Sequence, residues 1–346
     1  MALSDYNATA GDWRAQLKRN ERRTHMVIAL FIIIYTVTGL LVDTVVLQSL
    51  YPGATMQQYF FALITFKVFP YATALMLGFA VISLMITYVM YDRIMLLGTD
   101  YHEITAENAQ NLQEKQLYNV VEEMKVASGL RYMPKVYIIN ADYMNAFASG
   151  YSEKSAMLAI TRGLMEKLDR AELQAVMAHE LSHIRHHDIK LTLMVAVLSN
   201  ILLIVVDVLF YSVIFGRNGG DRRDDNRILM VVTLLRYILP LITVVLTLFL
   251  SRTREYMADS GAVELMRDNE PMARALLKIT QDHQRHAEQY TDEYGQTAHE
   301  QVRQASYLFD PSSIDPVKSF YNAFSTHPSI DQRLRALGFK RKEPNK

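Results

Sequence analysis

No cysteine occurs anywhere in the 346 residues, which excludes a disulfide framework, cysteine-type zinc sites, redox dithiols and a cysteine nucleophile. Charge of one sign is not in surplus either, with 36 Lys+Arg against 36 Asp+Glu. A polyanion-binding protein needs a basic excess to displace counterions from phosphates, so the balance argues against nucleic acid as a partner. Internal repeats and low-complexity tracts are also absent. The length suits two compact units, or one large one with insertions. A mean hydropathy of +0.03 looks soluble, yet it averages segments of opposite character.

Four runs are strongly apolar: residues 26–47, 69–91, 189–215 and 228–250. Each reaches the roughly 20 residues that a helix needs to cross a bilayer core of about 30 Å. Buried core helices seldom stay apolar all round for so long, so the runs read as membrane spans. The first reads as a retained span rather than a cleaved leader, because it is too long and no small-residue cleavage site follows it. Arg14, Lys18, Arg19, Arg22 and Arg23 precede it, whereas residues 48–66 contain no Lys or Arg. The positive-inside rule therefore places residues 1–25 in the cytoplasm and, after two crossings, residues 92–188 as well. Four arginines in the loop 216–227 run against this rule, which leaves 189–250 as two spans or a re-entrant hairpin.

The expected organisation is a cytoplasmic segment (1–25), two spans with a short outer loop (26–91), a first catalytic part (92–188), the hairpin (189–250) and a second catalytic part (251–346). An apolar repeat with Leu117, Val120, Val121 and Met124 predicts a helix over 109–130, punctuated by Gly129 and Pro134. Residues 136–139, 145–150 and 157–161 read as strands. Asp169 with Glu172 forms a capping box that starts a helix running to His187. Further helices are predicted at 252–267, from Pro271 onward, and at 329–337 ahead of Gly338. Residues 288–326 lack a clear period and read as a long loop or lid.

Inside the capped helix stands His179-Glu180-Leu181-Ser182-His183. Histidines at i and i+4 share one helix face, so both imidazoles can reach one zinc ion. Glu180 projects about 100° around the helix, beside the metal, where it can take a proton from water and pass it to a leaving amine. Composition alone gives about one or two chance matches per hundred such chains, so the motif is evidence in itself. His186 and His187 read as solvated or interfacial residues. A catalytic zinc needs a third protein ligand, and the best candidates follow the fourth run, at Glu255 and Asp259. These two carboxylates lie on one helix face; one can bind the metal while the other orients a ligand histidine.

The stretches Asn145-Ala146-Phe147-Ala148-Ser149-Gly150, Thr161-Arg162-Gly163-Leu164, residues 179–188, Arg254-Glu255-Tyr256-Met257-Ala258-Asp259 and Thr326-His327-Pro328 with Arg333 occur in this order between the apolar runs. In this the chain resembles the HtpX-type membrane metallopeptidases, from the larger group that includes the CAAX prenyl endopeptidases. The resemblance covers roughly residues 20–340. It implies a mainly α integral membrane protein with four transmembrane helices and an α+β gluzincin-type metalloprotease domain bearing a small sheet. It also implies one Zn²⁺ per chain held by His179, His183 and Glu255, with Glu180 as general base and Asp259 orienting a ligand histidine. Asn145 would hydrogen-bond the substrate backbone, and His327 would stabilise the oxyanion. The implied activity is hydrolysis of peptide bonds in misfolded or damaged membrane proteins at the cytoplasmic face of the bacterial inner membrane, as part of a stress response. A site-2-type intramembrane protease is the nearest rival, but its motif lies within an apolar segment and this one follows an amphipathic stretch. A zinc-stabilised scaffold would not need Glu180, and a transporter would place its ligands inside the spans.

Two charges inside the third and fourth runs carry one further expectation. Asp207 and Arg236 fall at matching depth in an antiparallel hairpin, so they should pair. Asp43 is the rival partner for Arg236, unless Lys67 takes it.

Overall fold

The computed structural model describes residues 3–8, 13–51, 53–150, 152–215, 222–296, 307–309 and 327–342. In chain order the elements are β1 (Tyr6–Ala8), α1 (Trp13–Leu50), α2 (Met56–Ile64), α3 (Tyr71–Leu96), β2 (Tyr101–Ile104), α4 (Leu112–Ser128), β3 (Lys135–Ile139), β4 (Ala146–Ser149), β5 (Met157–Thr161), α5 (Arg162–Lys167), α6 (Arg170–Arg185), α7 (Asp188–Phe215), α8 (Arg222–Met266), α9 (Glu270–Arg285), α10 (Ala287–Gln296), α11 (Ile330–Ala336) and β6 (Phe339–Arg341). The chain divides into two compact units, one of Met1–Thr24, Tyr88–Leu191 and Leu248–Lys346, the other of His25–Thr87 and Thr192–Thr247.

The second unit is helical. Three helices, Arg14–Leu50, Met194–Phe215 and Leu229–Met266, are long and apolar enough to cross a membrane, and Tyr71–Ile86 is a shorter apolar stretch. Tyr35, Met76, Ala80, Ile201, Leu202, Val206 and Leu239 form its core, while Ile32, Leu75, Phe79, Val208 and Leu241 are exposed. Apolar groups turned outward in such numbers fit a lipid solvent. Asp207 and Arg236 form the expected pair, Nε to Oδ1 at 2.8 Å, and the guanidinium lies 4.2 Å from the Phe210 ring centroid. Asp43 pairs with neither Arg236 nor Lys67. Its carboxylate accepts the amide N–H groups of Ala72 and Thr73 at 2.7 and 2.9 Å and the Thr73 hydroxyl at 2.6 Å. These are the unpaired donors at the start of α3, where a negative charge also meets the positive end of the helix dipole. Helices α1 and α3 approach closely here; a Cβ on Gly39 would lie 2.6 Å from Thr73 Oγ1.

The first unit holds a four-stranded sheet of order β2-β3-β5-β4 and a two-stranded sheet of β1 and β6. Strands β3 and β5 run parallel, and β2 and β4 are antiparallel outer strands. Helix α4 ends at Gly129, whose φ of 74° is the left-handed conformation that only glycine adopts cheaply. The capping box of α6 closes with Asp169 accepting from the Glu172 amide, and the Glu172 carboxylate accepting from the Asp169 amide, both at 2.9 Å. Leu173, Val176, Met177, Leu181 and Ile184 on α6 are buried, packed against α4, α9 and β4.

Several boundaries differ from expectation. Helix α6 stops at Arg185, and His187 at φ 55° turns the chain into α7. The helix expected at 252–267 is the tail of α8, which begins at Arg222. Part of the expected 288–326 loop is helical, in α10, and residues 297–306 and 310–326 of it lie outside the described residues. Residues 216–221 of the arginine-rich loop also lie outside them. The short β1, β2 and β6 carry no alternating apolar pattern that sequence could reveal.

Candidate metal centre

Helix α6 sets His179, Glu180 and His183 on adjoining faces, with His179 and Glu180 buried at 0% and 1% exposure. The last turns of α8 bring Glu255 to them. His179 Nε2 lies 3.1 Å from His183 Nε2, and Glu255 carboxylate oxygens lie 3.8 Å from the first and 3.6 Å from the second. Three atoms about 2.0–2.2 Å from a tetrahedral ion stand roughly 3.3–3.6 Å apart, so the spacing suits one ion. All three donor atoms fall within 4.8 Å of one another. The residues therefore fit a metal.

Each histidine is oriented from behind. His179 Nδ1 lies 3.0 Å from Asp259 Oδ1, and His183 Nδ1 lies 2.7 Å from Asp188 Oδ2. A proton held on Nδ1 by a carboxylate leaves the Nε2 lone pair facing the shared point. Each aspartate in turn meets a buried arginine. Arg333 donates to Asp259 through Nε at 2.9 Å and Nη2 at 2.6 Å, and Arg254 contacts Asp188. Arg333 Nη1 also lies 3.2 Å from Glu255 Oε2.

The surroundings sort the ionisable groups. Burial would raise Asp259, but the Arg333 charge and the His179 hydrogen bond outweigh it and hold the carboxyl below its ordinary range. Burial would likewise raise Glu255, yet the positive charges of His327 and Arg333 bring it well below. Burial lowers His183 well below the ordinary imidazole value, aided by neighbouring His179. Glu180 goes the other way: burial and the Glu255 charge push it well above the carboxylate range, against the pull of Arg333 and the Ala148 amide.

His327 is buried, with Nδ1 3.6 Å from Glu255 Oε2. Asn145 is fully buried at the head of β4. Its side-chain amide donates to the Phe309 carbonyl at 3.1 Å and accepts the Phe309 N–H at 3.3 Å, so in this structure it reads the backbone of its own chain. Sequence reasoning assigned no role to Asp188, Arg333 or residues 307–309. Asp188 had a signal, since a carboxylate five residues past His183 lies within reach once the helix ends between them.

A helical membrane-associated fold whose site joins two imidazoles, a carboxylate that could complete a metal site and an adjacent buried glutamate has the make-up of a metallopeptidase. Comparison with known proteins agrees: the profile of Peptidase family M48 matches residues 111–339. Protease HtpX homolog of Helicobacter acinonychis (strain Sheeba) is 39% identical over 321 residues, covering 93% of this chain and 96% of that protein. The corresponding protein of Helicobacter pylori (strain J99 / ATCC 700824) is 40% identical over 322 residues, with the same coverage of 93% and 96%. Among solved structures, S. mikatae Ste24p aligns at a TM-score of 0.47 and 18% identity, over 96% of this chain and 67% of that one. The chain belongs to peptidase family M48, as an HtpX-type protease.

Proposed function

We propose that this chain is a zinc-dependent endopeptidase that crosses the bacterial inner membrane four times and cleaves misfolded or damaged membrane proteins on the cytoplasmic side. The convergence of His179, His183 and Glu255 beside Glu180 carries the reading. Imidazole and carboxylate donors in a three-plus-one arrangement suit zinc. The basic residues Arg14, Lys18, Arg19, Arg22 and Arg23 in the first turns of α1, ahead of its apolar run, support the cytoplasmic orientation, and the HtpX-type relationship supports a role under stress.

His179, His183 and Glu255 would hold the zinc, which when bound would supply Lewis-acid polarisation of the scissile carbonyl and a lowered pKa for water. Glu180 accepts a proton from the attacking water and delivers it to the departing amine nitrogen. Its raised proton affinity suits a group that must hold that proton between the two events. His327 donates a hydrogen bond to the carbonyl oxygen as negative charge grows there. Asn145 and the edge of β4 that faces away from β5 orient the peptide backbone. Asp259 and Asp188 keep the ligand histidines in the Nδ1–H form.

The test is Glu180→Gln, assayed for bound zinc and for peptide cleavage. Retained zinc with cleavage lost by several orders of magnitude is expected, because proton transfer goes while the ligands remain. Full cleavage by this variant would refute the mechanism.

A further inference from the structure

We propose that residues Tyr307–Phe309 are a built-in occupant of the peptide groove, a strap that an apolar substrate segment must displace. The inference rests on the protease reading above. Strand β4 is an outer strand, bonded to β5 on one side. The Thr161 N–H donates to the Asn145 carbonyl at 3.0 Å, so Asn145 faces β5. Alternation then turns the N–H and C=O groups of Ala146 and Ala148 toward the edge away from β5. Helix α6, which carries Glu180, packs against β4, so a peptide added to this edge runs beside the helix of the base. Such edge addition is a general way to hold an extended peptide.

Residues 307–309 already use that edge. The Leu308 N–H donates to the Ala146 carbonyl at 2.9 Å. The Leu308 carbonyl accepts from Arg333 Nη1 at 2.8 Å, the same nitrogen that meets Glu255. The Phe309 N–H and C=O both pair with the Asn145 side chain. These bonds read only backbone, so they would hold any peptide placed there. The side chains say which peptides fit. Tyr307, Leu308 and Phe309 are all at most 2% exposed. The Phe309 ring centroid is 4.4 Å from that of His283, and Tyr307 packs 5.8 Å from Phe147 and 6.0 Å from Tyr294. The groove is thus lined for bulky apolar and aromatic residues, the kind that an unfolded membrane segment exposes.

Residues 307–309 form a bend rather than a strand, with the Leu308 N–H bonded to the Ala146 carbonyl. An extended peptide would add bonds to the Ala148 groups as well. Substrate binding and strap release are therefore competing uses of one surface.

The test uses the full chain in detergent, with a quenched decapeptide centred on Tyr-Leu-Phe as the probe. Leu308→Pro removes the donor to Ala146. With zinc loaded it should raise kcat/KM about fivefold through KM, the factor that one net hydrogen bond is worth. Because the chain has no cysteine, Leu308→Cys in a Glu180→Gln background reports strap release directly. Saturating decapeptide should speed its maleimide labelling several-fold. An unchanged labelling rate with peptide present, or an unchanged or lower kcat/KM in Leu308→Pro alongside an active wild type, would overturn the proposal. Accelerated labelling with no cleavage by any variant would uphold the strap and sink the protease reading instead.

Discussion

Arg333 is the residue on which the site's charge balance turns, and its removal has a calculable cost. It is 1% exposed and makes two hydrogen bonds to Asp259, a close contact to Glu255 and a bond to the Leu308 carbonyl. Arg333→Met keeps much of the stem but leaves Asp259 and Glu255 buried without their guanidinium. Breaking one side of a buried ion pair costs about 3–5 kcal/mol, because the remaining charge is uncompensated. The double variant Asp259→Asn/Arg333→Met removes one of the stranded charges, so it should lose less than the sum of the single variants, by about 1–3 kcal/mol. With two units in the chain, a global melting temperature does not isolate this loss. Amide hydrogen exchange in α6 and α11 of the metal-free protein reads it locally. At 1.4 kcal/mol per decade, Arg333→Met should speed exchange there by about 10²–10³-fold or more. Less than a threefold change, or strict additivity in the double variant, would refute the argument.

His327→Ala should lower kcat by about 10²–10³-fold with zinc content unchanged, as for loss of an oxyanion donor; a normal kcat would leave His327 a structural residue. Burial lowers His283 from 6.5 to about 4, so its neutral form favours folding fully above pH 6.5 and that contribution is lost as pH falls through 4, on the order of 3 kcal/mol in all. Denaturant titrations from pH 7 to 4 should therefore be flatter for His283→Gln than for wild type, and equal slopes would contradict the assignment. Exchanging the charges in Asp207→Arg/Arg236→Asp should recover stability lost in each single variant, measured as detergent-dependent unfolding; a double variant no better than the singles would show that the pair does not couple the helices.

What could be read from sequence was whatever local chemistry determines. The i, i+4 histidines, the Asp169–Glu172 capping box and the Gly129 terminator each depend on residues within one or two turns. The Asp207–Arg236 pair was also legible, because two apolar helices joined by a short loop leave few registers. The rival partner Asp43 is taken up elsewhere: the bare N–H groups at the start of α3 satisfy its charge better than a distant cation. The rest depends on contacts far apart in the chain. Arg333 meets Asp259 across 74 positions, and Asn145 meets Phe309 across 164. No periodicity links such residues. The strap in particular lies in a segment without pattern, and only folding brings it to β4.

The arginines explain how so many ionisable groups can be buried together. Arg333 stands behind Asp259 and His179, and Arg254 stands behind Asp188 and His183. The two histidines are thus each backed by an aspartate and an arginine in turn. Arg333 holds Asp259 in its charged form, each aspartate faces an Nδ1, and each Nε2 is turned to the shared point before any metal arrives. That preorganisation removes an ordering cost that metal binding would otherwise carry. Glu255 shares in it through Arg333. Glu180 does not: its carboxylate oxygens have no ordinary hydrogen-bond partner among the described residues. Two buried glutamates in one site are therefore driven in opposite directions. Environments that separate two carboxyl groups in this way suit the roles proposed for them, one to hold charge and the other to carry a proton.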